Sequence, residues 1–301
     1  MLTPGVKAVL EKQGYRIVGR HSAVKLCHWL RERLLRKRAC YKAKFYGIES
    51  HRCLQMTPSV AWCQHRCLFC WRPVEHTLGP ELGNEVDEPE AIVEGALEAQ
   101  RSLLSGYGGE ERVTQEEFRE ALSPNHVAIS LAGEPTNYPR IAELVEEFNR
   151  RGMSTFLVTN GMHPERIAEV EPTSLYLSLI SHSEELYRRI NVPRVRDGWK
   201  RLMQSLEAMS ASRARKVVRI TLVRGYNLEE PEAFAPLIER ASPDFIEAKG
   251  YVHVGYSRRR LTRQHMPSCD EVENFARALA EATGYRVIDF SSESKVFLLR
   301  R

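Results

Sequence analysis

The sequence predicts an α/β fold, a partial (β/α)6 barrel of the TIM type preceded by a helical, cysteine-bearing extension. From His126 onward, short strand patterns alternate with helix patterns, as in a parallel sheet with crossover helices. One further strand pattern, over residues 53–58, precedes that alternation and brings the main strands to six, too few for a closed eight-fold barrel. Composition agrees: 43% hydrophobic and 28% charged residues in 301 supply a sizeable core and exclude wholesale disorder. The expected organisation is a basic helical extension over residues 1–50, then the barrel over 51–301 with a basic C-terminal segment.

Taken in order, residues 23–37 carry Leu26, Leu30 and Leu34 at helical spacing with basic residues opposite, which predicts a helix laid across the body with a cationic outer face. Strand 53–58 leads into a cysteine-rich loop. Residues 89–104 form a strong helix pattern, closed by Gly106, Gly108 and Gly109. Strands are then expected over 126–131, 154–159, 174–179, 217–223 and 244–248. Helices are expected over 141–150, 164–169, 198–209, 231–241 and 270–283, and edge strands over 285–290 and 295–299. No run approaches the ~18 apolar residues of a spanning helix, and residues 1–13 lack the basic-then-apolar order of a secretion signal. A cytoplasmic protein with no membrane partner is the expectation.

Net charge is a modest +5, but its distribution is lopsided. Nine basic residues between Arg20 and Lys44 face one acid, Glu32. Arg213, Arg215, Lys216, Arg219 and Arg224 form a second, acid-free run, and Lys249, Arg258, Arg259, Arg260 and Arg263 a third. Each run alone reads first as a solvated face. Three together, with Tyr41, Phe45 and Tyr46 beside the first, bring a nucleic-acid partner level with that reading, because neutralised phosphates release counterions.

Six of the seven cysteines fall in the first quarter of the chain. Crowded cysteines without a secretion signal ligate metal more often than they form disulfides. Cys63, Cys67 and Cys70 read C-x3-C-x2-C, so three thiolates on one loop can hold three corners of a [4Fe-4S] cube and leave the fourth iron open. Structural zinc fits this spacing poorly, although His65 or Cys53 could complete such a site. Cys27, Cys40 and Cys53 show a second regularity, C-x12-C-x12-C, on a helix, a turn and a strand start, so their convergence requires tertiary folding. Buried small hydrophobes are an equal reading of those three. Cys269 is expected at a helix N-terminus.

In barrels of this kind, ligands bind beyond the C-terminal ends of the strands. The residues expected there are Glu134 in Gly133-Glu134-Pro135-Thr136, Asn160 in Thr159-Asn160-Gly161, Ser178, Arg219, Thr221, Glu247 and Lys249. Individually, Glu134 and Asn160 read equally well as turn or cap residues.

The cysteine triplet after a first strand, with Gly133-Glu134-Pro135 after the second, resembles the radical S-adenosylmethionine (SAM) superfamily. The likeness extends through Cys40-Tyr41-Lys42, Phe45-Tyr46-Gly47-Ile48, Ser50-His51-Arg52-Cys53, Gln55-Met56-Thr57-Pro58, Phe69-Cys70-Trp71-Arg72, Ala132 to Thr136, and Lys249-Gly250-Tyr251 to Tyr256-Ser257-Arg258. Across nearly the whole chain it is similar to the 4-demethylwyosine synthases of wybutosine biosynthesis, in the form without a flavodoxin-like domain.

The resemblance implies a reaction on N1-methylguanosine beside the anticodon of tRNA-Phe, building a tricyclic base with carbons from pyruvate. It implies two [4Fe-4S] clusters, SAM, and an external electron donor; a monomer is expected. Cys63, Cys67 and Cys70 would hold the SAM cluster, and Cys27, Cys40 and Cys53 the second. Glu134 would accept from the SAM ammonium, while Asn160 and Ser178 would hold its ribose. Pyruvate would sit on the second cluster's open iron or condense with a lysine, for which Lys42 is the first candidate and Lys44 the second. Arg31, Arg33, Arg36, Arg258, Arg259 and Arg260 are the proposed RNA-backbone contacts. One departure is the absence of an Asp after Ser178-Leu179 in the strand-four segment. The rivals are a radical enzyme acting on another RNA base, or a zinc-stabilised tRNA-binding module.

Overall fold

The computed structural model describes residues 1–301, which group into two compact units. The first comprises Met1–Trp62, Glu81–Val158 and Val170–Thr173; the second comprises Cys63–Pro80, Thr159–Glu169 and Ser174–Arg301.

The first unit runs α1 (Pro4–Lys12), β1 (Arg16–Val18), β2 (Ser22–Val24), α2 (His28–Arg36), α3 (Tyr41–Tyr46), β3 (Cys53–Thr57), α4 (Pro89–Leu104), α5 (Gln115–Leu122), β4 (His126–Ile129), α6 (Ile141–Arg150) and β5 (Ser154–Thr159). Strands β3, β4 and β5 are parallel, with Cys53 opposite His126 and His126 opposite Ser154. β1 and β2 add antiparallel to the β3 edge.

This edge corrects the helix expected over 23–37. Ser22, Ala23 and Val24 are all buried in β2, with Ala23 opposite Thr57 and Val24 opposite Met56. Pairing and burial there outweigh the helical spacing, and the helix starts only at His28. Within α2, Leu30 and Leu34 are fully buried against Leu104, Val113 and Ala121. Each such burial contributes roughly 1.5–3 kcal/mol, so the apolar stripe, not the basic face, fixes this helix. Lys37 ends it in the left-handed region.

The second unit runs α7 (Pro164–Glu169), β6 (Ser174–Ser178), α8 (Glu184–Asn191), α9 (Gly198–Ala211), β7 (Arg215–Leu222), α10 (Ala235–Ala241), β8 (Phe245–Gly250), α11 (Cys269–Thr283), β9 (Arg286–Ser291) and β10 (Val296–Arg300). β6, β7 and β8 are parallel, and β10 and β9 continue from β8 as an antiparallel pair. Three parallel strands in each unit match the six expected. The segment 231–241 starts as a short 3-10 turn and becomes α-helical only at Ala235. α11 begins at Cys269 behind a capping box of Ser268 and Glu271 and ends at Gly284 in the left-handed conformation. No helix is long and apolar enough to cross a membrane.

Candidate functional site

In the second unit the loop carrying Cys63, Cys67 and Cys70 is pinned at both ends. Backbone bonds run from Arg66 N to Asn191 O (3.1 Å), from Leu68 N to Ile190 O (3.0 Å) and from Arg194 N to Gln64 O (2.7 Å), so the loop lies along the C-terminal end of α8. Polar side chains address the sulfurs themselves. Asn160 Nδ2 donates to Cys63 Sγ at 3.6 Å, and Asn191 Nδ2 to Cys67 Sγ at 3.8 Å. Burial, with the nearby sulfurs, raises Cys67 well above an ordinary thiol, and burial also raises Cys70. Clustered thiols in this state need a strongly electropositive ligand to ionise, which bound iron supplies.

His65 does not complete a zinc site through Nε2, which lies 2.7 Å from the Tyr187 hydroxyl. Burial pushes the imidazole down to about 3, so it stays neutral.

Arg260 occupies a different place from the one expected. Its guanidinium donates from Nε to Leu68 O (3.2 Å), from Nη2 to Cys70 O and from Nη1 to Glu75 Oε1, and only 15% of its side chain is exposed. It braces the cysteine loop, with all three guanidinium nitrogens already engaged there. Arg258 and Arg259 remain exposed, and Arg259 lies 4.4 Å from the Tyr256 ring centre.

Asn160 stands at the cysteine loop, as its bond to Cys63 shows, and its Oδ1 also accepts from Met162 N. Ser178 ends β6, half-buried, opposite Arg219 on β7. Arg219 is no surface cation: it pairs at 2.8 Å with Glu247, which is fully buried. A carboxylate so placed depends on its partner, because an unpaired buried charge is strongly disfavoured.

In the first unit Glu134 is 2% exposed and shaped by its turn. Its amide donates to Trp62 O at 2.7 Å, while Oε1 accepts from Thr136 N and Oγ1 at 3.0 and 2.6 Å. Gly133, at φ +67°, makes the turn possible: a Cβ there would sit 1.9 Å from Ser59 O.

The second cysteine set also lies in this unit. Cys27 is the N-cap of α2, not a residue within it, Cys40 is the N-cap of α3 and Cys53 begins β3. Burial raises the Cys53 thiol, Cys27 and Cys40 raise it further, and the Lys42 ammonium opposes them, which places all four groups within electrostatic reach. Lys42 Nζ lies 4.7 Å from the Phe156 ring centre. Lys44 is on the same short helix.

Much of the cationic face of α2 is neutralised. Arg33 and Lys37 pair with Glu117, and Arg36 and Arg38 with Glu32. Arg31 donates to the Tyr107 hydroxyl at 3.0 Å. Sequence reasoning missed Asn191, Tyr187 and the bracing role of Arg260; no spacing signal links any of them to the cysteines.

An α/β fold with a pinned three-cysteine loop defines the radical SAM class, and a family model described as the radical SAM superfamily matches residues 57–238. A second model, for wyosine base formation, matches residues 240–301. The S-adenosyl-L-methionine-dependent tRNA 4-demethylwyosine synthase of Pyrococcus abyssi is 52% identical over 98% of this chain and 88% of its own. That of Methanocaldococcus jannaschii is 43% identical over 100% of this chain and 97% of its own. A solved structure of TYW1 with a lysine-pyruvate adduct bound superposes with a TM-score of 0.92 at 43% identity, covering 100% of this chain and 96% of that one. The chain belongs to the tRNA 4-demethylwyosine synthase family of radical SAM enzymes.

Proposed function

We propose that this protein condenses N1-methylguanosine of tRNA-Phe with pyruvate-derived carbons to form the tricyclic base 4-demethylwyosine. The observation that carries the reading is the pairing of a pinned Cys63-Cys67-Cys70 loop with a second, tertiary cysteine set that includes a lysine, Lys42. A [4Fe-4S] cluster held with SAM would supply one-electron cleavage of the sulfonium bond, and so a radical able to take hydrogen from an unactivated methyl.

The chain's own residues do the rest. Cys63, Cys67 and Cys70 hold the SAM cluster, with Asn160 and Asn191 donating to two of the sulfurs. Such bonds spread sulfur charge and help set the ease of reduction. Glu134 accepts from the SAM ammonium, its carboxylate preset by Thr136; Asn160 and Ser178 take the ribose. Cys27, Cys40 and Cys53 hold the second cluster. Lys42 attacks the pyruvate keto carbon, expelling water and forming an imine, with Lys44 as the second candidate. The lysine-pyruvate adduct in the related TYW1 structure supports a lysine over an iron-held pyruvate. Electrons come from an external one-electron donor. Arg258 and Arg259, with Arg31, contact the RNA backbone; Arg33 and Arg36 can do so only by sharing their carboxylate partners.

Anaerobic incubation with tRNA-Phe bearing N1-methylguanosine, SAM, pyruvate and dithionite, followed by mass spectrometry of the digested RNA, tests the reading. The tricyclic nucleoside is the expected product. Unchanged N1-methylguanosine beside vigorous SAM cleavage would move the enzyme to another RNA base.

A further inference from the structure

Seven large hydrophobic side chains are exposed, and four of them, Trp71, Leu78, Val252 and Val254, fall in two segments of the second unit. The segments are joined through their backbones. Tyr256 N donates to Trp71 O at 3.0 Å, and Gly255, at φ +58°, brings its Cα so close that a Cβ would stand 2.4 Å from the same oxygen. The main chain of Trp71, next to Cys70, is thus held fast while its indole is left 44% exposed. Hydrophobic burial would favour tucking so large a ring away.

Cations lie against these aromatics. The Arg72 guanidinium is 3.4 Å from the Trp71 ring centre, Arg259 is 4.4 Å from that of Tyr256, and His76 packs edge-on against Tyr256. Residues 249–269 and 63–74 contain no acid, and Glu75 is engaged by Arg260. Two acid-free segments that present an exposed indole, a half-buried tyrosine ring and the exposed Arg259 suit a single-stranded polyanion carrying flat bases.

We infer that Trp71, backed by Arg72 and flanked by Tyr256 and Arg259, is a stacking platform for an unpaired base of the substrate RNA loop. This rests on the proposed tRNA reaction and deepens it: to be reached by a radical formed beside Cys70, the target base must leave its stack, and a neighbouring base needs a new surface. Trp71 is a positioning residue, since it orients the RNA without touching the reacting atoms.

The test measures affinity of the anaerobic holoenzyme for tRNA-Phe across salt concentrations, for wild type, Trp71→Ala and Trp71→Phe, each matched for iron and sulfide content. Trp71→Ala should weaken binding roughly 5- to 100-fold, the range for loss of one base–aromatic stack. The slope of log affinity against log salt should stay unchanged, because an indole neutralises no phosphate. Trp71→Phe should restore most of the affinity, and the tRNA-induced quenching of tryptophan fluorescence should shrink in that variant. Wild-type binding that Trp71→Ala leaves within twofold overturns the platform while sparing the proposed function. Failure of the wild-type holoenzyme to bind tRNA-Phe overturns both.

Discussion

The two cysteine sets are assembled in opposite ways. Cys63, Cys67 and Cys70 lie within eight residues on one loop, and the fold has only to hold that loop still. It does so with backbone bonds to α8, amide donors from Asn160 and Asn191, and the Arg260 brace. Cys27, Cys40 and Cys53 come from two helix caps and a strand start, so their meeting depends on α2, α3 and β3 folding together. A local set survives small rearrangements of its surroundings; a tertiary set does not. The second also brings in a lysine that the first lacks, as expected if one site makes the radical and the other presents the cosubstrate.

The sharpest break in this comparison is substitution of Cys63, Cys67 or Cys70 by Ala. Reductive cleavage of SAM to 5′-deoxyadenosine should fall below detection in each variant. Cleavage at the wild-type rate would remove these residues from the radical chemistry altogether.

Substitution in the tertiary set should separate the two sites. Cys53→Ala should keep SAM cleavage, lose about half the iron and yield no tricyclic base. Normal product from this variant would end the second-cluster role and leave the three cysteines as core packing. Lysine replacement refines the same contrast. With labelled pyruvate and borohydride, Lys42→Ala should no longer trap label, whereas Lys44→Ala should; the reverse result would exchange their roles.

The two sets also explain what could be read from the sequence. The triplet was legible because its ligands share one loop and their spacing is the signal. The C-x12-C-x12-C pattern suggested a second site but could not show convergence; the electrostatic influence of Cys27, Cys40 and Lys42 on Cys53 appears only in the folded chain. Residues 22–24 were hidden for a related reason: Leu26, Leu30 and Leu34 mimic one continuous helix, while the pairing of β2 with β3 joins segments more than thirty residues apart. Charge misled at Arg260, since a basic run gives no hint that one of its arginines turns inward to carbonyls some 190 residues earlier.

That inward turn supports a smaller effect. Arg260→Lys keeps a cation near Cys67 and Cys70 but cannot span Leu68 O, Cys70 O and Glu75 together. Cluster retention should fall modestly, and the midpoint potential should stay near that of wild type. Arg260→Gln removes the cation as well and should make the potential more negative, because the reduced cluster carries the extra electron beside less positive charge. Equal potentials in all three proteins would reduce Arg260 to a mechanical brace.

The smallest effect separates the two basic regions. Arg258 and Arg259 are exposed, whereas Arg33 and Arg36 already face Glu117 and Glu32. A phosphate approaching the latter must compete with a carboxylate, so less counterion release follows. Arg258→Gln with Arg259→Gln should lower the salt slope of tRNA binding by ~0.7–0.9 for each phosphate no longer neutralised. Arg33→Gln with Arg36→Gln should change it by less, although as many charges are removed. If the second pair proves the more costly, Glu117 and Glu32 yield their arginines when RNA binds, and α2, not the segment after β8, carries the main backbone contact.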